Sequence, residues 1–98
     1  MNIKKMIDGE MLTLYVAGRI DTTNAKEFED VINSELKDIT GLIVDFAELE
    51  YISSAGLRVL LIAIKQMKKQ GSMKIVHSNE MVKEIFEVTG FADLVEVE

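Results

Sequence analysis

The chain has no cysteine and only one histidine among its 98 residues. Without cysteine it has no disulfide framework and no thiol chemistry, which is typical of a protein of the reducing cytoplasm. His77 has no second imidazole or thiolate at the spacing of metal ligands, so we predict neither a metal site nor a bound cofactor. The six glycines are scattered along the chain, and no glycine-rich phosphate-binding loop is present.

Positive charge and long apolar runs are also scarce. The formal net charge of -6 disfavours nucleic acids and anionic membranes as direct partners, because both select clustered lysine and arginine. The longest apolar run, Val59 to Ile64, is far too short to span a membrane, and the N-terminal residues lack the apolar core of a signal peptide. We therefore predict one cytoplasmic domain over residues 1–98.

Short apolar runs and segments of helical periodicity alternate after a hairpin signal at Asp8-Gly9. The predicted strands cover residues 2–7, 11–17, 41–46, 73–77 and 94–97. The predicted helices cover residues 22–36, 55–70 and 80–88, with residues 47–52 as a connection. Asn24 and Glu27 have the spacing of a capping box at the first helix. This order predicts an α/β fold with a mostly parallel mixed sheet, the hairpin at one edge and about four helices.

The segment YISSAGL at residues 51–57 places Ser53 and Ser54 where the longest predicted helix begins. Ser53 is the better placed of the two for the helix N-cap. A helix N-terminus beyond the carboxyl end of a strand also tolerates a phosphate. A nucleophilic serine would need His77 as its base, but the flanking residues do not form G-x-S-x-G and no orienting carboxylate stands out. Capping, phosphorylation, a Ser54–His77 hydrolase pair and a phosphocarrier on His77 are the alternatives that the residues leave open.

Gly56 lies inside the first turn of that helix, where glycine costs up to about 1 kcal/mol relative to alanine. A close approach by another backbone or a ligand would explain it, so we expect Gly56 at a contact surface. The same helix is apolar beyond its inward stripe, at Val59, Ile62 and Ala63. We expect these side chains to pack against a neighbouring helix; the alternative is apolar surface exposed for a protein partner.

The segment DFAELEYISSAGLRVL at residues 45–60 resembles the STAS domain of bacterial anti-sigma factor antagonists. Three further pieces agree with the resemblance: VAGRID at 16–21, KQG at 69–71 and IFEVTG at 85–90. The resemblance covers essentially the whole chain. It implies a single STAS-like α/β domain that acts as a regulatory binding module and not as an enzyme.

The resemblance also implies which partners to expect. Family members bind an anti-sigma factor that is itself a serine kinase with a histidine-kinase-like ATPase domain, and this binding releases a sigma factor. The kinase phosphorylates a serine of the antagonist, which ends the binding, and a PP2C-type phosphatase removes the phosphate. For this chain we accordingly expect a monomer or weak dimer that contacts such proteins.

The family motif, Asp-Ser-Ser/Thr-Gly-Leu, can be registered on Gly56 and Leu57. The phosphorylated serine of the family then falls on Ser54. The aspartate of the motif falls on Ser53, and its second serine or threonine falls on Ala55. The departure at Ser53 removes a negative charge beside the predicted acceptor.

A family aspartate near the site corresponds to Asp21. The resemblance thus implies a partner-binding surface around Ser54 that comprises Asp21, Ser53, Ala55, Gly56 and Arg58. An alternative role keeps the fold, as a STAS scaffold or nucleotide-binding regulatory module of another bacterial signalling pathway that is not phosphorylated.

Overall fold

The computed structural model describes residues 1–98, which form a six-stranded mixed sheet and three α-helices. The strands are β1 (Asn2–Asp8), β2 (Met11–Ile20), β3 (Gly41–Asp45), β4 (Leu49–Ile52), β5 (Ser72–Val76) and β6 (Glu96–Val97). The α-helices are α1 (Ala25–Glu35), α2 (Ser54–Gln70) and α3 (Glu80–Val88). The predicted α/β fold is therefore confirmed.

The N-terminal hairpin forms one edge of the sheet, as predicted. The strand order is β1-β2-β3-β5-β6, in which β1 is antiparallel to β2 and the other neighbours are parallel. Asp8 pairs with Met11, so the turn between them has two residues, and Gly9 takes a φ of 64° that a side chain would disfavour. The Asp-Gly signal thus places both strands correctly.

Strand β4 was expected to be part of a connection. It pairs in parallel with the last residues of β2, and the register shifts between Gly18 and Arg19. Leu49 and Ile52 are buried, while Glu50 between them is exposed. Four residues are too few for such a pattern to stand out in the sequence. The strand matters because it fixes where Ser53 and α2 begin.

The structure has three α-helices where about four were expected. The remaining helical segment is a short 3₁₀ turn at Phe91–Asp93, preceded by Gly90 with a φ of 82°. The ring of Phe91 in this turn extends an aromatic stack in the core. The ring centroids of Phe46 and Phe86 are 6.4 Å apart, and those of Phe86 and Phe91 are 6.2 Å apart. The turn therefore closes the core beside α3 instead of adding a helix.

Helix α2 packs against the sheet and against α1. Val59 and Ala63 are buried there, which confirms the packing interpretation of these two apolar residues, whereas Ile62 remains 39% exposed. No helix of this structure combines the length and the apolar content that crossing a membrane requires.

Candidate functional site

The ends of β2 and β4 bring Asp21 and the two serines together. Ile20 pairs with Ile52 in parallel register, and the Ser53 backbone N–H donates a 2.8 Å hydrogen bond to the carbonyl oxygen of Ile20. Asp21 and Ser53 therefore follow neighbouring strands at the same edge of the sheet, where ligands and partners of α/β proteins commonly bind.

Ser53 is the N-cap of α2. Its hydroxyl oxygen accepts a 3.3 Å hydrogen bond from the backbone N–H of Gly56, and its carbonyl oxygen accepts one of 2.9 Å from the N–H of Leu57. This is the cap that the sequence favoured for Ser53. The hydroxyl of this serine is half-buried and engaged within the chain.

Ser54 is the first residue of α2, and it is exposed. Its hydroxyl makes no hydrogen bond within the protein, in contrast to the hydroxyl of Ser53. Free backbone N–H groups of the first helical turn surround it with partial positive charge. The two adjacent serines thus have different roles. The Ser53 hydroxyl caps the helix, whereas the Ser54 hydroxyl is accessible from solvent.

Gly56 is buried under this first turn. A Cβ atom at this position would lie 2.7 Å from Ile20 Cγ2 and 2.7 Å from Ile52 Cγ1. The missing side chain therefore lets α2 approach the ends of β2 and β4 closely. Packing inside the chain explains this glycine, so its effect on the surface is to position the serines above it.

The carboxylate of Asp21 is held inside its own loop. It accepts hydrogen bonds from the hydroxyl and, at 2.9 Å, from the backbone N–H of Thr23. The Thr23 hydroxyl first, and then the Thr23 N–H, lower the pKa of Asp21 below its ordinary value. Asp21 is consequently a fixed negative charge beside Ser53 at neutral pH.

Asn24 stabilises the same loop in a way that the sequence did not predict. Its Oδ1 accepts a 2.9 Å hydrogen bond from the Asp21 N–H, and its Nδ2 donates one of 2.8 Å to the Arg19 carbonyl oxygen. The expected capping box with Glu27 is wrong, since the Asn24 side chain makes no cap hydrogen bond. The amide faces back toward the strand because two backbone groups there need partners.

Arg58 and Ala55 line a groove of about 390 Å³ between α1 and α2. Arg58 is exposed and forms no salt bridge, although Glu29 lines the same groove. On the other side of the site, the Arg19 guanidinium lies 4.7 Å from the centre of the Tyr51 ring, a cation–π contact that sequence reasoning missed. The sequence signal for this contact is the alternation along β2, where the exposed Arg19 precedes the buried Ile20.

His77 has a carboxylate partner after all. Its Nδ1 lies 3.1 Å from Asp45 Oδ1, which also accepts a 2.9 Å hydrogen bond from the Ala47 N–H. His77 takes a φ of 63°, in the left-handed region, to reach this position. The sequence did not single out this carboxylate, because Asp45 approaches His77 only where the ends of β3 and β5 are adjacent.

Ser54 lies away from this Asp45–His77 pair. Asp45 pairs with Tyr15, whereas Ile52, two residues before Ser54, pairs with Ile20. Those two positions on β2 are five residues apart, or about 16 Å at the rise of a strand. A hydrolase pair needs hydrogen-bond contact between serine and imidazole, so the structure does not support that alternative.

Comparisons with known proteins give a consistent result. The family model described as the STAS domain matches residues 2–98. A Bordetella bronchiseptica protein provisionally named anti-sigma factor antagonist BtrV is 36% identical over 90 residues, covering 90% of this chain and 77% of that protein.

Solved structures share the fold. An anti-sigma factor antagonist from Mycobacterium paratuberculosis superposes with a TM-score of 0.89 at 20% identity, covering 98% of this chain and 83% of that one. The Bacillus cell fate determinant SpoIIAA, in its phosphorylated form, gives a TM-score of 0.77 at 15% identity, covering 99% and 91% of the two chains.

Proposed function

Since this chain belongs to the STAS domain family, we propose that it is an anti-sigma factor antagonist whose binding is switched off by phosphorylation of Ser54. Its partner would be an anti-sigma factor that carries a histidine-kinase-like ATPase domain and acts as a serine kinase. Binding would release a sigma factor, and a PP2C-type phosphatase would restore the unmodified form in the cytoplasm. The names of the similar proteins support this role.

The accessibility of the Ser54 hydroxyl is the observation that carries the proposal. Ser54 is exposed and unbonded at the first residue of α2, while the neighbouring Ser53 hydroxyl is committed to the N–H of Gly56. A kinase can therefore reach Ser54 without unwinding the helix. Access to Ser53 would require breaking the cap, which costs about 1 kcal/mol.

In the transfer step, the Ser54 oxygen forms a bond to the γ-phosphorus of ATP. The bond between that phosphorus and the bridging oxygen breaks, ADP leaves, and the hydroxyl proton passes to a base of the kinase. This chain contributes the acceptor oxygen and its position, and the partner contributes the nucleotide and the catalytic groups.

The phosphate would change the charge of the surface without refolding the chain. It adds a charge of about -1.5 to -2 at the end of α2, where the helix N-terminus tolerates it. Asp21 already supplies a fixed negative charge beside the serines. A partner that fits the small neutral hydroxyl would then meet an enlarged acidic surface, and a few kcal/mol of repulsion and desolvation changes affinity by orders of magnitude.

Five residues form the proposed contact surface. Ala55 and Arg58 lie on the groove beside Ser54, and Asp21 and Ser53 lie at the strand ends. Gly56 contributes by position, since it is buried against Ile20. Ser53 stands where the family motif has aspartate, so the unmodified surface of this chain carries one negative charge fewer than the motif implies.

A labelling experiment tests the acceptor. Each serine kinase of the histidine-kinase-like ATPase type encoded in the same genome is incubated with radiolabelled ATP and the parent chain, Ser54→Ala or Ser53→Ala. We expect label on the parent and on Ser53→Ala, and none on Ser54→Ala, for at least one kinase. Equal labelling of Ser54→Ala would move the acceptor elsewhere, and no labelling by any kinase would contradict the proposed switch.

A binding experiment tests the charge mechanism with the kinase so identified. We expect Ser54→Ala to bind about as well as the parent, because alanine is small and neutral, and Ser54→Asp to bind at least tenfold more weakly. Isothermal titration calorimetry without ATP gives both affinities. Equal affinities of the two variants would show that charge at residue 54 does not control the complex.

A further inference from the structure

We propose that, once Ser54 is phosphorylated, Arg58 of the same chain binds the phosphate and holds it over the first turn of α2. This inference rests on the proposed function and specifies the regulated form of the site. The Arg58 guanidinium would have a role in both forms of the chain. Before modification it is free to contact an acidic partner surface, and after modification it binds the chain's own phosphate.

The helix places the two side chains on one face. Ser54 and Arg58 are four residues apart in α2, about 6 Å along the axis, which is the spacing of side chains that meet on a helix surface. Side chains of helical residues also tend to lean toward the N-terminus, so the long Arg58 side chain can reach the turn that contains Ser54. An acidic group four residues before a basic one is the favourable order for such a pair.

Arg58 has no competing partner in the unmodified chain. Three lysines are already paired with carboxylates: Lys5 with Glu35, Lys26 with Asp30 and Lys74 with Glu98. Arg58 forms no salt bridge of this kind and remains exposed at the groove between α1 and α2. A new anion at the end of α2 would therefore meet an unpaired guanidinium.

The chemistry of the side chain fits a phosphate. The chain has only two arginines, Arg19 and Arg58, among its 11 basic residues, and both lie at this end of the molecule. Arg19 is engaged over the Tyr51 ring. The planar guanidinium of Arg58 can donate two parallel N–H groups to one phosphate, which a lysine ammonium cannot do.

The other charged groups around the groove leave Arg58 available to the phosphate. Asp21 adds a negative charge on the loop before α1, and Glu29 and Lys26 lie on the facing side of the groove. Lys26 is bound to Asp30, so it offers little to the phosphate. Arg58 is then the nearest available cation on the helix that carries Ser54.

The test uses the full chain with phosphoserine installed at residue 54 during translation, so that it needs no kinase. The proton affinity of the phosphate is measured by ³¹P NMR titration in the parent and in Arg58→Gln. Pairing with Arg58 stabilises the dianion, so we expect about twofold tighter proton binding in Arg58→Gln. Arg58→Lys should give an intermediate value, because it retains charge without the fork.

Lys65→Gln is the matched control. It removes the same charge from an exposed position of α2 eleven residues after Ser54, about 16 Å along the axis and beyond the screening length at physiological salt. We expect Lys65→Gln to titrate like the parent. Equal titration of Arg58→Gln and the parent, or equal shifts in the two glutamine variants, would overturn the pairing. Neither result depends on whether a kinase modifies Ser54, which the labelling experiment decides separately.

Discussion

The two ends of α2 are built in different ways. At the C-terminal end, Gly71 lies so close to the connection before β3 that an added Cβ would be 1.8 Å from the carbonyl oxygen of Thr40. The Gln70 amide donates 2.6 Å hydrogen bonds to the carbonyl oxygens of Leu36 and Ile39. This end is locked against the end of α1 and the connection that leads to β3.

The N-terminal end keeps its outer surface open. Gly56 packs it against Ile20 and Ile52 from below, and Ser53 caps it. Above that support, Ser54 is exposed and has no internal partner. In the proposed switch, the anchored C-terminal end allows the N-terminal end to accept a phosphate on Ser54, because the added charge does not decide whether the helix forms.

Gly71→Ala, at the locked C-terminal end of α2, should have the largest effect on stability. Gly71 has a φ of 172°, which any residue adopts, so the cost comes from the collision with the Thr40 carbonyl group. We expect a loss of about 3 kcal/mol in the free energy of unfolding in urea, at the upper end of overpacking costs. The control is Gly9→Ala, whose methyl group meets no atom within 4 Å and whose φ of 64° costs about 1–2 kcal/mol. A loss no greater than that of Gly9→Ala would show that the connection yields freely.

Gln70→Ala tests the second lock at the same end. It leaves the carbonyl oxygens of Leu36 and Ile39 without their side-chain donor, so we expect a loss of about 1–3 kcal/mol in the free energy of unfolding. Lys69→Ala is the control, because Lys69 is exposed and its loss should change stability by less than about 0.5 kcal/mol. If the two variants were equally stable, water would be replacing the amide at no cost.

Ser53→Ala and Ser54→Ala should have different effects at the open N-terminal end of α2. Removing the cap should cost about 1 kcal/mol, whereas removing the exposed hydroxyl should change stability by less than about 0.5 kcal/mol. Ser53→Asp should retain the parent's stability, since aspartate caps equally well and suits the helix N-terminus. Urea unfolding of the three variants measures this. A larger loss for Ser54→Ala than for Ser53→Ala would reverse the assignment of cap and acceptor.

The locked and open ends also differ in what the sequence could predict. Ser53 as cap follows from residue type and position alone, because the interaction spans three residues. The reasons for Gly56 and Gly71 did not follow, since Ile20 and Thr40 approach them only through the tertiary fold. Gly71 directly follows the predicted helix 55–70, and close packing, not a left-handed conformation, requires a glycine there.

Polar contacts between segments distant in sequence were also not predicted. The Asp45–His77 pair depends on β3 and β5 being neighbours, which periodicity predicts only as a sheet and not as a register. Asn24 had correct capping spacing, yet its amide serves Asp21 and Arg19 instead. Local patterns thus located the strands, helices and serines, and the tertiary contacts decided which polar groups remain free.

Titration of Asp21 should have the smallest effect of these changes. It should alter the N-terminal end of α2 and leave the C-terminal end unaffected. Hydrogen bonds from Thr23 place the pKa of Asp21 below its ordinary value of 3.8, so the folded state favours the carboxylate. Its contribution to stability is fully present above that value and is lost as the pH falls through the lower pKa of the folded state. At the other end, Gln70, Gly71 and Thr40 have no side chain that titrates, but the carboxylates of Glu10 and Asp38 line the pocket beside Gln70 and Thr40.

Acidification from pH 5 to pH 2.5 should therefore shift the amide resonances of Ser53 and Gly56 in ¹H–¹⁵N spectra of the parent through Asp21, whereas those of Gln70 and Gly71 should respond alike in the parent and in Asp21→Asn. In Thr23→Val, which removes the hydroxyl donor, the carboxyl carbon of Asp21 should titrate at a higher pH than in the parent. Asp21→Asn should abolish the selective shift at the N-terminal end. A shift that persists in Asp21→Asn would assign the pH response to another carboxylate. The charge of Asp21 would then have no effect on the N-terminal end of α2.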